Sequence, residues 1–398
     1  MKKILVIGGG NYQVPIIKRI KELGFEALCV DINKNAQGFN VADNYKVIDV
    51  LDKEKCLEYA KENMVDAVMS FGATLPLYTV AFIGKKMNLP ALSVETAKIS
   101  TDKFLIKKRL AENGCNVLGD FFEISSLNDI KNKKFNFPCV IKPCDGSGSK
   151  GVIVLNDESN IEESIKESLA CARYGRIYKE DLIDGKEYTV EAFVDNKIPY
   201  VYSVIKTTFE KDKNGKISYG HCTPSGLSAE DENLIVEEVK KAIFALDINM
   251  GSVNFDIILS KQDKKPYIID CGIRIGQNLI GSHIVPFSRG VNVIDNTIYQ
   301  ALGEKINPNP KFKHCIATRL LIYRAGKIAE IKDFSSLIGK NGIKEIVLRK
   351  EVGDYQREYR DKSDTCGWVI TEGKTPAEAE ALAEKAKDAL ENYIKIEE

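Results

Sequence analysis

Two clusters of residues in this chain could do phosphate chemistry. The first runs Phe137-Pro138-Cys139-Val140-Ile141-Lys142-Pro143 and continues as Cys144-Asp145-Gly146-Ser147-Gly148-Ser149-Lys150-Gly151. A short apolar run ends on one lysine, then breaks into a loop of small residues. An ammonium held at a strand end, with backbone N–H groups free to close on oxygens, is a cradle for phosphate. The loop is not a Walker A motif, because glycine follows Lys150 and the G-x-x-x-x-G-K-[ST] spacing is absent. Taken alone, the stretch also reads as a flexible hairpin with a stray lysine. The second cluster is a pair of carboxylates, Asp256 in Phe255-Asp256-Ile257-Ile258 and Asp270 in Tyr267-Ile268-Ile269-Asp270. Two acids on adjacent strands suit a hard cation such as Mg²⁺, which takes oxygen ligands and shares substrate phosphates. Two solvent-facing strand acids are the alternative, and the apolar runs around both weigh against it.

Composition sets the bounds. With 57 basic and 57 acidic residues the formal charge is zero, which argues against a polyanion-binding surface and so against nucleic acid as the main partner. The ten cysteines contain no C-x-x-C pair and there are three histidines, so neither a zinc site nor a disulfide framework is expected. Free thiols suit a reducing compartment. The N-terminal Met-Lys-Lys-Ile-Leu-Val-Ile-Gly runs straight into a strand without a signal-peptide pattern. No stretch approaches the roughly 18 apolar residues of a membrane helix, so a cytoplasmic protein with no membrane partner is expected.

The elements that must position these clusters follow in order. Residues 1–95 alternate strands (Ile4–Ile7, Leu28–Val30, Tyr45–Val50, Ala67–Ser70) with helices (Val14–Leu23, Lys53–Glu62), the pattern of an open parallel sheet. Gly8-Gly9-Gly10 with Asp31 invites a dinucleotide reading, but Gln13 replaces the third glycine of G-x-G-x-x-G, so a Rossmann-like scaffold with another use is the better reading. Residues 96–305 form the expected core. In it Ser100 or Thr101 caps a helix with Lys103 in its first turn, and a lid occupies about 115–190. A polar loop at Lys211–Lys216 turns at Asn214-Gly215. The helix over 229–246 carries an apolar stripe of Leu234, Val239, Ile243 and Leu246, and Ser252–Leu259 pairs with Pro266–Asp270. Asn307-Pro308-Asn309-Pro310 marks the boundary of a small α+β domain at 306–398, with strands Ala317–Tyr323, Glu345–Leu348 and Gly367–Thr371 and a final helix from Pro376.

In that order and spacing, the motifs resemble the ATP-grasp superfamily, in the branch containing biotin carboxylase, the halves of carbamoyl-phosphate synthetase and the carboxylate–amine ligases. The resemblance implies an α/β protein with a Rossmann-like pre-grasp domain, a grasp core with a mobile lid, and a small C-terminal α+β domain. Thr101-Asp102-Lys103 is similar to the family's D-K, which makes Lys103 a phosphate contact. Phe137–Pro143 is similar to the family's (F/Y)-P-x-(V/I)-(V/I)-K-P, which gives Lys142 the same role and makes Gly146, Ser147, Gly148, Ser149 and Gly151 the closing loop. Lys179–Tyr188 resembles the hinge: Glu180 with the backbone of Asp181, Leu182 and Ile183 would read adenine, and Glu187 the ribose hydroxyls. Ile269–Arg274 resembles E-x-N-x-R, so Asp256 and Asp270 would hold Mg²⁺ (or Mn²⁺) and Arg274 would face the acyl-phosphate centre. Here Asp270 stands for the usual Glu and Gly272 for the usual Asn, which removes an oxygen ligand. Gly281–Pro286 with Gly290–Val293 resembles the G-G-D-H-I-P … G-V-D of carboxylate–amine ligases, placing Ser282 and His283 near an acceptor substrate. His314–Arg319 resembles the H-A-I-E-C-R of biotin carboxylase, which makes Arg319 a further candidate at the acyl centre.

The implied chemistry uses Mg-ATP to turn a carboxylate into an acylphosphate, releasing ADP, and passes the acyl group to an amine. A bicarbonate- or formate-activating enzyme and a non-catalytic ATP-binding sensor are the alternatives. The implied partners are small-molecule carboxylate and amine substrates, with a homodimer common among relatives. Specificity would lie near Phe71–Leu75 and Tyr202–Thr208. No internal repeat is present, which disfavours a complete carbamoyl-phosphate synthetase large subunit.

Overall fold

The computed structural model describes residues 1–397 except 147, 149, 213, 214 and 360–363. Strands Lys3–Ile7, Glu26–Asp31, Asn44–Val47 and Ala67–Met69 form a parallel sheet in the spatial order third, second, first, fourth. Ile4–Ile7 and Ala27–Val30 are buried on both faces, which is why they read as unbroken apolar runs. Ile16, Ile17 and Ile20 of helix Val14–Glu22 cover one face, and Cys56, Leu57, Ala60, Val80 and Ile83 cover the other. The glycine turn is tied by Asp31, which accepts the N–H groups of Gly9 and Asn33, each at 2.8 Å. Gln13 donates to the Phe71 carbonyl. The aspartate that would face a dinucleotide ribose is thus engaged by its own loop.

The lid is an antiparallel sheet in the order Phe122–Ile124, Ile177–Asp181, Cys139–Pro143, Ile153–Leu155, backed by helix Ile161–Cys171. Its core includes Ile124, Cys139, Ile141, Leu155, Ile165 and Ile177. Strand Gly185–Asp195 belongs instead to the large sheet.

That large sheet has eight antiparallel strands in the order Pro266–Gly272, Gly251–Ser260, Gly185–Asp195, Ile198–Asp212, Gly215–Thr223, Cys315–Leu321, Gly367–Gly373, Ile343–Leu348. It passes through position 306 without a break, so the tail extends the core sheet. Val190, Ala192, Val253, Phe255 and Ile257 pack against Ile235, Val239, Ala242 and Ile243 of helix Ala229–Ala245. The buried stripe of this helix runs through Ile235, while Leu234, one residue (about 100°) off that line, is exposed. The polar loop read at 211–216 lies partly outside the described residues, Asn214 among them; its flanking strands pair antiparallel. Helix Pro376–Leu390 lays Ala379 and Ala383 on Cys222 and Ala317. A second small sheet joins Tyr355–Gln356, Gly326–Ile331 and Ile394–Glu397.

Helix Lys103–Glu112 is capped by Asp102, which accepts the Leu105 N–H at 3.0 Å. Ser100 and Thr101, the caps expected from sequence, instead donate back to the carbonyls of Ala97 and Lys98 and close the preceding helix Val94–Ile99. Among the described residues no helix is long and apolar enough to cross a membrane.

Candidate active site

The site is built where the lid, the large sheet and helix Lys103–Glu112 meet. Lys142, near the end of a lid strand, reaches the Ile269 carbonyl on the core hairpin at 3.1 Å and Glu180 at 2.5 Å. Lys103 and Lys107, four residues apart, share a helix face. Lys103 pairs with Asp270 and Lys107 with the second oxygen of Glu180. The start of this helix is pinned to the lid: the Lys103 N–H donates to the Cys144 carbonyl at 2.7 Å, and Asp102 accepts Arg176 at 2.6 Å. Arg176 also holds Glu123 in a bidentate pair at 2.7 and 2.8 Å.

The charges explain one another. Burial opposes ionisation of Glu180, but Lys142 and Lys107 outweigh it and hold its pKa below the usual carboxylate range. Burial likewise opposes the charge on Lys142, and the acidic neighbours outweigh it, so its pKa is raised. For Asp270, burial is overcome chiefly by Lys103 and Lys142, giving a pKa of about 2.

Asp256 and Asp270 are direct cross-strand partners, so their side chains share a face of the sheet. Thr189 donates to Asp256 at 2.8 Å. Among the described residues no cluster of three or more His, Cys, Asp or Glu side chains gathers to hold an ion. Two carboxylates, with Asp270 held ionised, are nevertheless the hard donor set that suits Mg²⁺, an ion that keeps waters and takes its other oxygens from substrate phosphates. The residues fit the metal. A β-carbon on Gly272 would lie 3.0 Å from Cζ of Arg274, the far end of a flexible side chain that can move aside.

Glu191 escaped the motif reading. It is fully buried on the same face, since it pairs with Asn254 across the strands and accepts its amide at 3.1 Å. Both its oxygens also take the Gly276 N–H, each at 3.0 Å. Burial pushes its pKa up to about 8 against those hydrogen bonds. Glu191 thereby fixes the turn that follows Arg274. Gln277 in that turn donates to the Gly72 carbonyl at 2.7 Å, joining it to the N-terminal sheet. Period-two alternation in Tyr188-Thr189-Val190-Glu191-Ala192 was the available signal. His221, opposite Thr207 in register and buried, falls on this same face.

The other predicted residues are distributed as follows. Gly146, Gly148 and Gly151 lie in the loop after Lys142, and Ser147 and Ser149 lie outside the described residues. Gly151 has φ +71°, and a β-carbon there would sit 2.7 Å from that of Cys171. Glu180 presents its carboxylate to two lysines. Asp181 is bound by Lys179 and by the Asp120 N–H at 3.0 Å. Leu182 is exposed and donates its N–H to the Pro138 carbonyl at 3.2 Å; with Ile183 it links the lid to the strand carrying Glu187. Ser282 and His283 are bonded to each other at 2.7 Å. The His283 ring faces Glu345 at 3.4 Å and the Trp368 ring at 5.7 Å, and burial lowers its pKa.

Arg319 does not join the site. Its side chain is buried with Glu384 at 2.6 Å and Glu380 at 3.6 Å, on helix Pro376–Leu390. It pairs in register with Gly220 and so with Thr208, on the opposite face from Thr207, Thr189 and Asp256. A one-residue difference in strand parity turns it away from the acyl centre that the sequence motif implied.

Lysines from the helix and the lid thus meet the paired carboxylates of the large sheet where the two sheets come together. Residues 80–277 match the ATP-grasp domain and residues 319–395 the L-amino acid ligase C-terminal domain 2; the chain belongs to the ATP-grasp superfamily. It is 28% identical over 189 residues to a formate-dependent phosphoribosylglycinamide formyltransferase of Rhodococcus jostii, covering 46% of each chain. It is 25% identical over 382 residues to a carbamoyl-phosphate synthase of Methanobrevibacter smithii, covering 90% of this chain and 98% of that one. The crystal structure of an L-amino acid ligase from Bacillus licheniformis superposes with TM-score 0.81 at 22% identity, covering 100% of this chain and 98% of that one, a likeness of fold.

Proposed function

We propose that the protein is an ADP-forming ligase that activates a carboxylate with ATP as an acylphosphate and transfers the acyl group to an amine. One observation carries this reading: Lys103 from its helix and Lys142 from the lid meet at Asp270 and Glu180, with Asp256 directly across from Asp270 and the charge of Arg274 acting on Asp270. No protein nucleophile is needed. Lys142 and Lys103 neutralise phosphate oxygens, Arg274 faces the acyl phosphate, and the 146–151 loop excludes water from an intermediate that hydrolyses readily. Mg²⁺ held by Asp256 and Asp270 would supply further charge neutralisation of the transferring phosphoryl group. Glu187 and the backbone at 181–183 take the nucleoside. The acceptor side lies between Phe71–Leu75 and the turn fixed by Glu191 and Gln277.

The test is ADP release from Mg-ATP with pooled small carboxylates, each pool assayed with and without pooled amines. Release that needs both pools supports ligation. Release with formate or bicarbonate alone favours the second reading, to which the name of the Rhodococcus jostii relative points. ATP binding without release under any pool contradicts both.

A further inference from the structure

The lysine helix does more than supply a phosphate contact. Its two inward lysines each sit on a carboxylate that the nucleotide site needs for something else: Lys103 on Asp270, a metal ligand, and Lys107 on Glu180, the partner of Lys142. Lys107 is almost wholly buried and Glu180 is equally so, whereas Lys103 and Asp270 keep part of their surface open. The first pair is therefore fixed and the second can exchange. The helix start is bonded to the lid through Cys144, Asp102 and Arg176, so the lysines and the lid are positioned together.

We propose that Lys103 is a resident stand-in for the metal at Asp270, and that Lys107 is the positioning residue that keeps Glu180 paired when Lys142 turns to phosphate. This inference rests on the nucleotide–metal reading of the site and deepens it. With no nucleotide, a divalent ion must displace an ammonium already bound to its carboxylate. Phosphate oxygens offer Lys103 an alternative partner, so their arrival frees Asp270 and metal and nucleotide load as a unit. Meanwhile Lys142 can leave Glu180 only because Lys107 remains, since a buried carboxylate stripped of every cation is strongly unfavourable. The two lysines therefore have different jobs. One exchanges its partner; the other stays on Glu180, where the attraction of that carboxylate works against the burial that lowers the Lys107 pKa.

The experiment measures free Mn²⁺ by electron paramagnetic resonance during titration of the full chain, with and without ADP, in wild type, Lys103→Met, Lys103→Arg and Lys107→Met. Wild type is expected to bind Mn²⁺ weakly alone and more tightly with ADP. Lys103→Met should tighten Mn²⁺ binding without nucleotide by about tenfold, as an opposing unit charge is removed, while weakening ADP binding. Opposite signs from one substitution are what a merely structural lysine would not produce, and Lys103→Arg should restore both values toward wild type. Lys107→Met should leave nucleotide-free Mn²⁺ binding within about threefold of wild type and weaken ADP by about tenfold or more, as one partner of a buried pair is lost. Unchanged or weaker nucleotide-free Mn²⁺ binding in a folded Lys103→Met variant, with Mn-ADP still bound by wild type, would overturn the exchange. ADP affinity unchanged in Lys107→Met would overturn the role of Lys107. Failure of wild type to bind Mn-ADP at all would instead remove the underlying reading of the site.

Discussion

Replacing Lys142 with methionine keeps most of the apolar stem of the side chain and removes its charge. In the folded protein Lys142 is one of two cations on Glu180, at 2.5 Å, and it also donates to the Ile269 carbonyl at 3.1 Å. Lys107 remains on the other oxygen of Glu180. The stability loss should therefore fall below the ~3–5 kcal/mol typical of leaving a buried charge with no partner. On the proposed role of Lys142 the effect on turnover is larger in proportion, because a preorganised cation facing the transferring phosphoryl group would be lost. Removal of one such donor costs about 100-fold or more in kcat, or ~2.7 kcal/mol. The assay is steady-state ADP release under saturating Mg-ATP, run beside a thermal melt to show that the variant is folded. Turnover within threefold of wild type in a folded variant refutes the placement of Lys142 at the phosphates.

Three further outcomes are expected. With Asp270 as the proposed Mg²⁺ ligand, Asp270→Asn should raise the Mg²⁺ concentration needed for half-maximal turnover by about tenfold, since a charged hard ligand would become a neutral one; an unchanged Mg²⁺ titration would count against it. Glu191 has its pKa raised from its ordinary 4.5 to about 8, so the folded state binds more protons than the unfolded one between these values. The stability this contributes is full below 4.5 and is lost as pH rises through 8. Thermal melts of Glu191→Gln should therefore fall less steeply than wild type over that window, and an equal slope would contradict the burial argument. Arg319→Met should lower stability by about 1–3 kcal/mol, because Glu384 and Glu380 lose a buried partner, while leaving kcat within a few-fold. A hundredfold loss of kcat at unchanged stability would return Arg319 to the acyl centre.

The strand positions of Lys142, Asp256 and Asp270 were legible because each sits in an apolar run. The alternation of the 187–192 strand already carried Glu191, but no local motif distinguishes a buried glutamate from an exposed one. Lys107 was hidden for a related reason: a lysine on a charged helix reads as solvated until its burial against Glu180 is known. Arg319 shows the converse failure. Spacing within a strand gives a motif, but the face it presents depends on pairing with Gly220 across the sheet, a long-range fact. Leu234 was misjudged by one residue in a helix whose neighbouring isoleucine is the buried one. The caps at Ser100 and Thr101 were displaced because those hydroxyls serve the helix behind them. Fold class, by contrast, followed from βα alternation and strand-length apolar runs, which depend little on such contacts.

The central claim is that a carboxylate oxygen attacks the γ-phosphate and leaves with it. Once a productive carboxylate–amine pair is found, the substrate carboxylate is labelled with ¹⁸O and the inorganic phosphate is analysed by mass spectrometry. An acylphosphate route places one labelled oxygen in each phosphate released, because the amine takes the carbonyl carbon and the bridging oxygen departs with phosphorus. Amide product accompanied by unlabelled phosphate, or by AMP in place of ADP, would contradict the account.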